Sequence, residues 1–294
     1  MRFSNSSFAV KILILLSFFS IFLIAGDSQA QDPEWTYGLD SETYDSQLSS
    51  DGKYIAVGQG GGIVRLLDAQ AQTALWHYDT GDAAIRNVDI SSDGSYIVAG
   101  EWGNGSSAKI YLFDKAFTDN EPIWEYSTSA CDIVRLVISE DGSTIVAHTS
   151  CTSEMMYVFD VSSSAPLWSK SIDYRPNGLD VSADGNYIYY LDKKDTSHWS
   201  LRVHLRDSDT PLWQVNLGSS NCCYSPQNMM SLVSASADGQ KIVAAGDDAI
   251  FLFDVESEYP VWSYEYCSEG CDGQFRSVAI SADGSQIAAG HDSG

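Results

Sequence analysis

The stretch "ISSDGSYIVAG", residues 90–100, decides the fold, because altered copies of it recur along the whole chain. Each copy carries an S-x-D-G turn, and the turn glycines are Gly52, Gly94, Gly142, Gly185, Gly239 and Gly284. Successive glycines are 42, 48, 43, 54 and 45 residues apart. Self-similarity at such a period indicates a repeat architecture, in which each unit buries its faces against its neighbours.

Each copy continues in the same way after its turn. A β-rich run such as "YIVAG" comes first, and then a run that ends in Asp: "VRLLD", "IYLFD", "MYVFD", "VHLRD" or "IFLFD". A tryptophan run such as "PIWEY" closes the copy. We name the predicted strands a to d, with a before the turn, b after it, c ending at the Asp and d carrying the Trp. Four short antiparallel strands in about 40–45 residues are typical of a β-propeller blade.

The turn residues have a structural interpretation. Asp can accept hydrogen bonds from nearby backbone N–H groups, and Gly supplies the positive φ that a hairpin requires. A three-residue loop at 140–142 would place Ser139 opposite Ser143. The copies lack the dense series of oxygen ligands that calcium loops use, so no calcium site is predicted.

Tryptophan marks one position of the repeat. Six of the eight tryptophans occupy it: Trp35, Trp76, Trp124, Trp168, Trp213 and Trp262. A large side chain at one place in every unit is predicted to pack blade against blade rather than to stack on a ligand.

These repeats resemble those of two families. "RLLDAQAQTALWHY" (65–78) and "IYLFDKAFTDNEPIWEY" (110–126) are similar to pyrroloquinoline-quinone-like propeller repeats. The "DG…YIVAG…IYLFD" rhythm is similar to WD40-like repeats, with "FD" where those repeats have "WD". The resemblance covers residues 33–294 and implies an all-β propeller. It says little about function, because both families include many scaffolds without catalytic activity.

The blade count follows from where the repeats begin and end. "PEWTYGLD" (33–40) is predicted as a d strand that precedes any a strand. The last copy supplies strand a around residues 275–280 and strand b at 286–290, without a strand c. Strand d cannot pair without c between it and b, since paired strands lie about 4.8 Å apart. We therefore expect five complete blades, a partial sixth, and a repeat domain that is incomplete at its C-terminus.

The N-terminus indicates export, and the charge argues against some partners. Residues 1–30 combine Arg2 and Lys11, the apolar run "ILILLSFFSIFLIAG" and small residues before Gln31, as a cleaved signal peptide does; the alternative is an uncleaved signal anchor. Residues 31–294 then form the repeat domain of a secreted or cell-surface protein. The chain has a net charge of −24, which argues against nucleic-acid partners and, beyond the signal segment, against membrane binding.

The six cysteines of an exported chain are expected to pair. With the three-residue loop, the numbers of any two facing residues of the hairpin add up to 282, which places Cys131 opposite Cys151. Cys267 and Cys271 can close the "CSEGC" loop. Cys222 and Cys223 are then left to each other, or one or both reach "CSEGC". The "NGS" at Asn104–Ser106 is a candidate glycosylation site.

No motif assigns a catalytic, cofactor-binding or metal-binding residue. The function predicted from the sequence is a non-catalytic scaffold that binds a protein, glycan or other ligand through one face or the central channel. The alternative is a quinone-cofactor dehydrogenase, for which the resemblance implies a role for the adjacent pair Cys222–Cys223. The chain is far shorter than those enzymes, and their metal-binding and base residues have no match in it.

Overall fold

The computed structural model describes residues 11–14, 35–81, 83–103, 107–129, 132–150, 154–172, 178–195, 198–219, 232–246, 249–266 and 275–291. These residues form 23 β-strands joined by turns, and none of the described residues is helical. The all-β prediction is therefore confirmed.

The chain divides into two compact units, residues 16–171 and residues 172–294 with residues 1–15. The first unit holds three blades, whose strands in the order a to d are as follows. Blade 1 contains β2 (Thr43–Leu48), β3 (Tyr54–Gln59), β4 (Ile63–Asp68) and β5 (Thr73–Asp79). Blade 2 contains β6 (Ala84–Ile90), β7 (Tyr96–Trp102), β8 (Lys109–Asp114) and β9 (Trp124–Ser127). Blade 3 contains β10 (Asp132–Ile138), β11 (Thr144–Ser150), β12 (Glu154–Asp160) and β13 (Trp168–Ile172).

The second unit holds two further blades and a hairpin. Blade 4 contains β14 (Gly178–Val181), β15 (Tyr187–Asp195), β16 (His198–Leu205) and β17 (Trp213–Ser219). Blade 5 contains β18 (Val233–Ala235), β19 (Lys241–Ala245), β20 (Ala249–Asp254) and β21 (Trp262–Glu265). The hairpin of β22 (Phe275–Ile280) and β23 (Gln286–His291) supplies strands a and b of a sixth blade.

Within each blade the strands are hydrogen-bonded in the order a-b-c-d, and blades 2 and 3 are also joined by the pair Asp132 and Trp102. The prediction of five four-stranded blades and a partial sixth is confirmed.

The edge of the sixth blade differs from the expectation. Residues 35–42 form no strand, so the predicted d strand around Trp35 is wrong. A d strand needs strand c as its neighbour, and the repeat lacks that strand here. A short strand β1 (Lys11–Ile14) instead pairs in parallel with β23 on the side where c would lie. The signal-peptide assignment of residues 1–30 stays a prediction.

The S-x-D-G turns share one hydrogen-bond pattern. In all six turns the Ser hydroxyl donates to the Asp Oδ1 at 2.6–3.0 Å. The same Oδ1 accepts the N–H of the residue after the glycine at 2.8–3.1 Å. The Ser Oγ accepts the N–H five residues ahead at 3.0 Å. The six glycines have φ of 68–75°, where side chains are disfavoured.

The turn is one residue longer than predicted. Ser139 N donates to Thr144 O at 2.9 Å, so Ser139 faces Thr144 and the expected pairing with Ser143 is wrong. The reason is the Asp carboxylate, which draws the N–H of Ser143 into the turn at 2.9 Å. The loop therefore contains four residues, 140–143.

Neighbouring blades of the first unit are joined by polar contacts as well as by apolar ones. Asp45 Oδ2 accepts the N–H of Val88 at 3.0 Å. Ser92 N donates to Glu140 O at 2.8 Å, which links two successive turns. Backbone groups that the blades leave unpaired at these borders thus find partners in the next blade.

Three of the repeat tryptophans join a blade to its successor. Their indole Nε1 atoms donate to the next blade's carbonyl oxygens: Trp76 to Lys115 at 3.0 Å, Trp124 to Val161 at 2.9 Å and Trp213 to Val255 at 2.6 Å. Their ring centres lie 5.4–5.7 Å from the ring centres of Phe113, Phe159 and Phe253, respectively. Trp168 and Trp262 begin β13 and β21 and are half-buried, as is Trp35.

The turn carboxylates are expected to make the stability of the folded protein sensitive to acid. The Ser236 hydroxyl and the Gln240 N–H hold the pKa of Asp238 below its usual range. A lowered folded-state pKa contributes stability that is present above pH 4 or so and is lost as the pH falls further. The difference in urea midpoint between the wild type and Asp238→Asn should therefore be constant above about pH 5 and narrow towards pH 2.

Asp119→Asn, in the exposed turn between strands c and d of blade 2, is the matched control and should show no such narrowing. An Asp238→Asn difference that is the same at pH 6 and pH 3 would show that the turn carboxylate does not contribute through its charge.

Candidate functional site

A β-bulge recurs in strand a of four blades. The extra residue is Tyr44 in β2, Arg86 in β6, Val134 in β10 and Arg276 in β22. Each lies eight residues before the glycine of its S-x-D-G turn. Bulges bend a strand locally and re-aim the side chain of the extra residue. At Tyr44 and Arg86 the extra residue is exposed, whereas Val134 is buried.

The bulge residues of the first two blades meet. The Arg86 guanidinium carbon lies 4.7 Å from the ring centre of Tyr44 and 4.5 Å from that of Trp102. Arg86 is exposed, Tyr44 is 41% exposed and Trp102 is half-buried. We call these three residues the arginine platform. They lie at the ends of β2, β6 and β7 that are remote from the S-x-D-G turns.

Backbone contacts fix Tyr44. The preceding segment is bound to the tip of the β3–β4 hairpin, where Ser41 Oγ donates to Gly60 O at 3.0 Å and Gly60 N donates to Glu42 O at 2.8 Å. The Tyr44 hydroxyl donates to Glu42 Oε2 at 2.9 Å. On the other side, burial raises the pKa of Asp45, whose carboxylate binds the next blade. The ring of Tyr44 is therefore held in place before any ligand arrives.

A buried carboxylate fixes Trp102. The preceding residue, Glu101, is only 6% exposed. Its two oxygens accept hydrogen bonds from Lys109 N at 2.9 Å and from the Tyr111 hydroxyl at 2.6 Å. Burial and the Glu101 carboxylate raise the pKa of Tyr111. The end of β7 is thus bound to β8, and Trp102 pairs with both Ala84 and Asp132.

Arg86 is exposed to solvent. No ion pair joins Arg86 to a carboxylate of the described residues. A guanidinium that lies over aromatic rings can still donate hydrogen bonds from its N–H groups. A planar guanidinium held in this way can bind a carboxylate through two parallel hydrogen bonds. The platform is chemically suited to an anionic group.

Sequence reasoning did not find the platform, although two signals point to it. Tyr44 and Arg86 occupy the same position of the repeat, and Trp102 is one of the two tryptophans outside the repeat position. Only the bulges bring the three side chains together.

Several predicted site residues lie outside the described residues. They are Cys131, Cys151, Cys222, Cys223, Cys267, Cys271 and Asn104. The feature on which the quinone-cofactor alternative depends, Cys222–Cys223, is among them.

The register of the β10–β11 hairpin bears on one cysteine pair. Next to the turn, the numbers of two facing residues add up to 283. The bulge at Val134 shifts the register by one residue, so that Asp132 faces Ser150 and the sum becomes 282. The bulge therefore compensates for the longer turn, and Cys131 and Cys151 are the next residues in sequence on either side. Facing Cα atoms in such a ladder are about 4.5–5.5 Å apart, within disulfide range.

We therefore expect a disulfide between Cys131 and Cys151. Peptide mapping of the unreduced protein should yield a cross-linked 131–151 fragment that disappears on reduction. Free thiols at both positions would refute this pairing.

Buried polar pairs elsewhere belong to single blades. Arg202 Nε lies 3.1 Å from a carboxylate oxygen of Asp192, and His148 Nε2 lies 3.0 Å from Glu154 Oε2. Each pair joins strands b and c of its own blade. No three His, Cys, Asp or Glu side chains of the described residues are arranged to hold a metal ion. Nor does the described part of the chain contain a helix long and apolar enough to cross a membrane.

Comparison with known proteins establishes the fold. The chain is similar to one chain of the crystal structure of the mitotic checkpoint complex, with a TM-score of 0.63 at 15% sequence identity. The alignment covers 86% of this chain and 73% of that one, which is a WD40 β-propeller. The fold is therefore a WD40-like β-propeller with four-stranded antiparallel blades.

The likeness carries no further information on function, because 1703 chains of solved structures match this chain. No protein-family model and no curated protein matches it. The similarity to pyrroloquinoline-quinone-like repeats stays a prediction.

Proposed function

We propose that this protein is a non-catalytic, protein-binding scaffold and that the arginine platform is its contact surface. The observation that carries the proposal is the position of the Arg86 guanidinium carbon, which lies 4.7 Å from the ring centre of Tyr44 and 4.5 Å from that of Trp102. Trp, Tyr and Arg are the residues most enriched among those that dominate binding energy at protein interfaces. Two aromatic rings and an exposed guanidinium form a set suited to binding an anionic group.

The geometry favours a protein over a glycan as the partner. Sugar rings bind aromatic platforms by stacking on an open ring face. In this platform the Arg86 guanidinium lies over both rings and is exposed, so a ligand meets a cation there rather than an open ring face. A guanidinium fits a carboxylate, so the partner is inferred to present an Asp or Glu side chain or a C-terminus.

The acidity of the chain sharpens this specificity. The net charge of −24 repels acidic partners in general, so a carboxylate can bind only where a positioned cation offsets that repulsion. Arg86 is such a cation. We further propose that binding takes place outside the cytoplasm, on the basis of the signal-like residues 1–30 and the cysteines.

Panning a phage library of random peptides on the full chain, with counter-selection on Arg86→Ala, tests the proposal. The enriched peptides should contain Asp or Glu, and they should bind Arg86→Ala at least ten-fold more weakly than the wild type. Arg86→Lys should also lose affinity, because an ammonium group lacks the planar stack.

The matched control is Lys109→Ala, which removes a nearby cation that is already paired with Glu125 at 3.0 Å. Its affinity for the same peptides should stay within two-fold of the wild type. The proposal is wrong if panning enriches no peptide that distinguishes the wild type from Arg86→Ala.

A further inference from the structure

A second candidate site lies in the other unit, between blades 4 and 5. It is an open cleft of about 700 Å³. Its apolar floor consists of Leu205, Leu212 and the rings of Tyr187 and Trp213. The turn at residues 256–259, between strands c and d of blade 5, forms the opposite wall.

One repeat position that lines this cleft differs from the other blades. Strand c ends with an Asp in the other four blades, at Asp68, Asp114, Asp160 and Asp254. In blade 4 the residue at that register position is Leu205, which faces Tyr187 as Asp68 faces Tyr54. The prediction that the run "VHLRD" ends strand c at an Asp is therefore wrong, because Asp207 lies two residues beyond the strand.

The replaced Asp has a structural role that Leu205 cannot fulfil. Asp68 accepts the backbone N–H groups of Gln70 and Ala71 at 2.9 and 2.7 Å, and Asp160 accepts that of Ser162 at 2.9 Å. Leu205 cannot accept these hydrogen bonds, and its side chain is 42% exposed. Leu212 and Tyr259 beside it are 48% and 75% exposed. Large apolar side chains exposed around one concavity are typical of a contact surface.

The charge of the cleft has one sign. Glu256 and Glu258 line its wall, no basic residue lines it, and no ion pair joins either Glu to a described residue. The wall is rigid, because Ser257 N donates to Asp254 O at 3.0 Å and Tyr259 N donates to Ser257 Oγ at 3.1 Å. Two carboxylates on this turn, beside an apolar floor, complement a group that is cationic at its end and aliphatic along its length.

We propose that this cleft binds a lysine or arginine side chain from an extended segment of a partner protein. Such a side chain lays its methylene stem on apolar surface and keeps its charged head among polar groups. Its head can also lie over the exposed Tyr259 ring. An adjoining cleft of about 500 Å³ shares Tyr187 and Leu205 and provides room for neighbouring residues of the segment. That cleft is lined by two carboxylates, Asp184 and Asp207, and one cation, Arg206.

The probes are the blocked peptide acetyl-Leu-Arg-Leu-amide and its citrulline analogue, which has the shape of arginine without the charge. Methyl NMR spectra of the full chain with labelled leucine should show saturable shifts of Leu205 and Leu212 with the arginine peptide. The citrulline peptide should bind at least five-fold more weakly. The double variant Glu256→Gln/Glu258→Gln should abolish this difference, because it removes only the charge.

Leu167 provides an internal control. It is 44% exposed at the same repeat position as Leu212, directly before the blade's tryptophan, and its methyl signals should not shift. Equal binding of the two peptides, shifts at Leu167 as well, or no shift at Leu205 and Leu212 would overturn the proposal. None of these outcomes depends on Arg86, so the test is independent of the arginine platform.

Discussion

Trp124→Ala is expected to lower the free energy of unfolding by about 3 kcal/mol, the lower end of the usual cost of truncating a large aromatic side chain, because Trp124 is half-buried. The indole of Trp124 packs 5.5 Å from Phe159 of the next blade and donates to Val161 O at 2.9 Å. The substitution opens a cavity between two blades and leaves a carbonyl without its donor. Urea denaturation of the full chain measures the effect.

Trp102→Ala is the matched control for that variant. Trp102 belongs to the same blade but packs on the exposed Arg86 rather than on the next blade's core. We expect a loss of no more than about 1 kcal/mol in stability, together with loss of ligand binding. If the two variants destabilise the protein equally, the repeat tryptophan has no special role in joining the blades.

The second large effect is expected at Gly94. It shares the sequence "SSDG" and a φ of +71° with Gly52. Alanine in the left-handed region costs about 1–2 kcal/mol at either position. At Gly94 the new Cβ would also lie 2.4 Å from Tyr54 Cδ2 of the preceding blade, whereas at Gly52 nothing lies within 4 Å. Gly94→Ala should therefore cost about 1–3 kcal/mol more than Gly52→Ala.

Comparing the urea midpoints of these two variants isolates the contact between blades from the backbone strain. A larger loss at Gly52, or no difference, would contradict the packing of Tyr54 over the turn of the next blade. The same two glycine substitutions can also be made in the Tyr54→Ala variant. Without the Tyr54 ring, Gly94→Ala and Gly52→Ala should lower the urea midpoint by similar amounts.

The blade pattern was predictable from sequence because it depends on local chemistry that the chain repeats. The Asp and Gly of each turn, the β-rich runs and Trp76, Trp124 and Trp213 each reflect a requirement that recurs in every blade. The length of the turn was not predictable, because a single hydrogen bond from Ser143 N to Asp141 decides it. Strand d around Trp35 was wrongly predicted, because a local pattern cannot supply the neighbouring strand.

The two candidate sites depend on departures from the repeat, and sequence periodicity hides such departures. The arginine platform requires bulges at Tyr44 and Arg86, which have no signature in one blade alone. The cleft requires Leu205 at the position of an Asp, and the nearby Asp207 concealed that change in the sequence. In both cases the register, rather than the residue types, determines which side chains meet.

Hydrogen exchange of the full chain, with and without a peptide selected by panning, tests the central claim most directly. We expect the bound peptide to slow hydrogen exchange in three separate segments at once, residues 41–46, 84–88 and 100–103. These segments contain Tyr44, Arg86 and Trp102. The protection should be absent in Arg86→Ala. Protection confined to other segments, or protection that persists in Arg86→Ala, would contradict the assignment of the arginine platform as the binding surface.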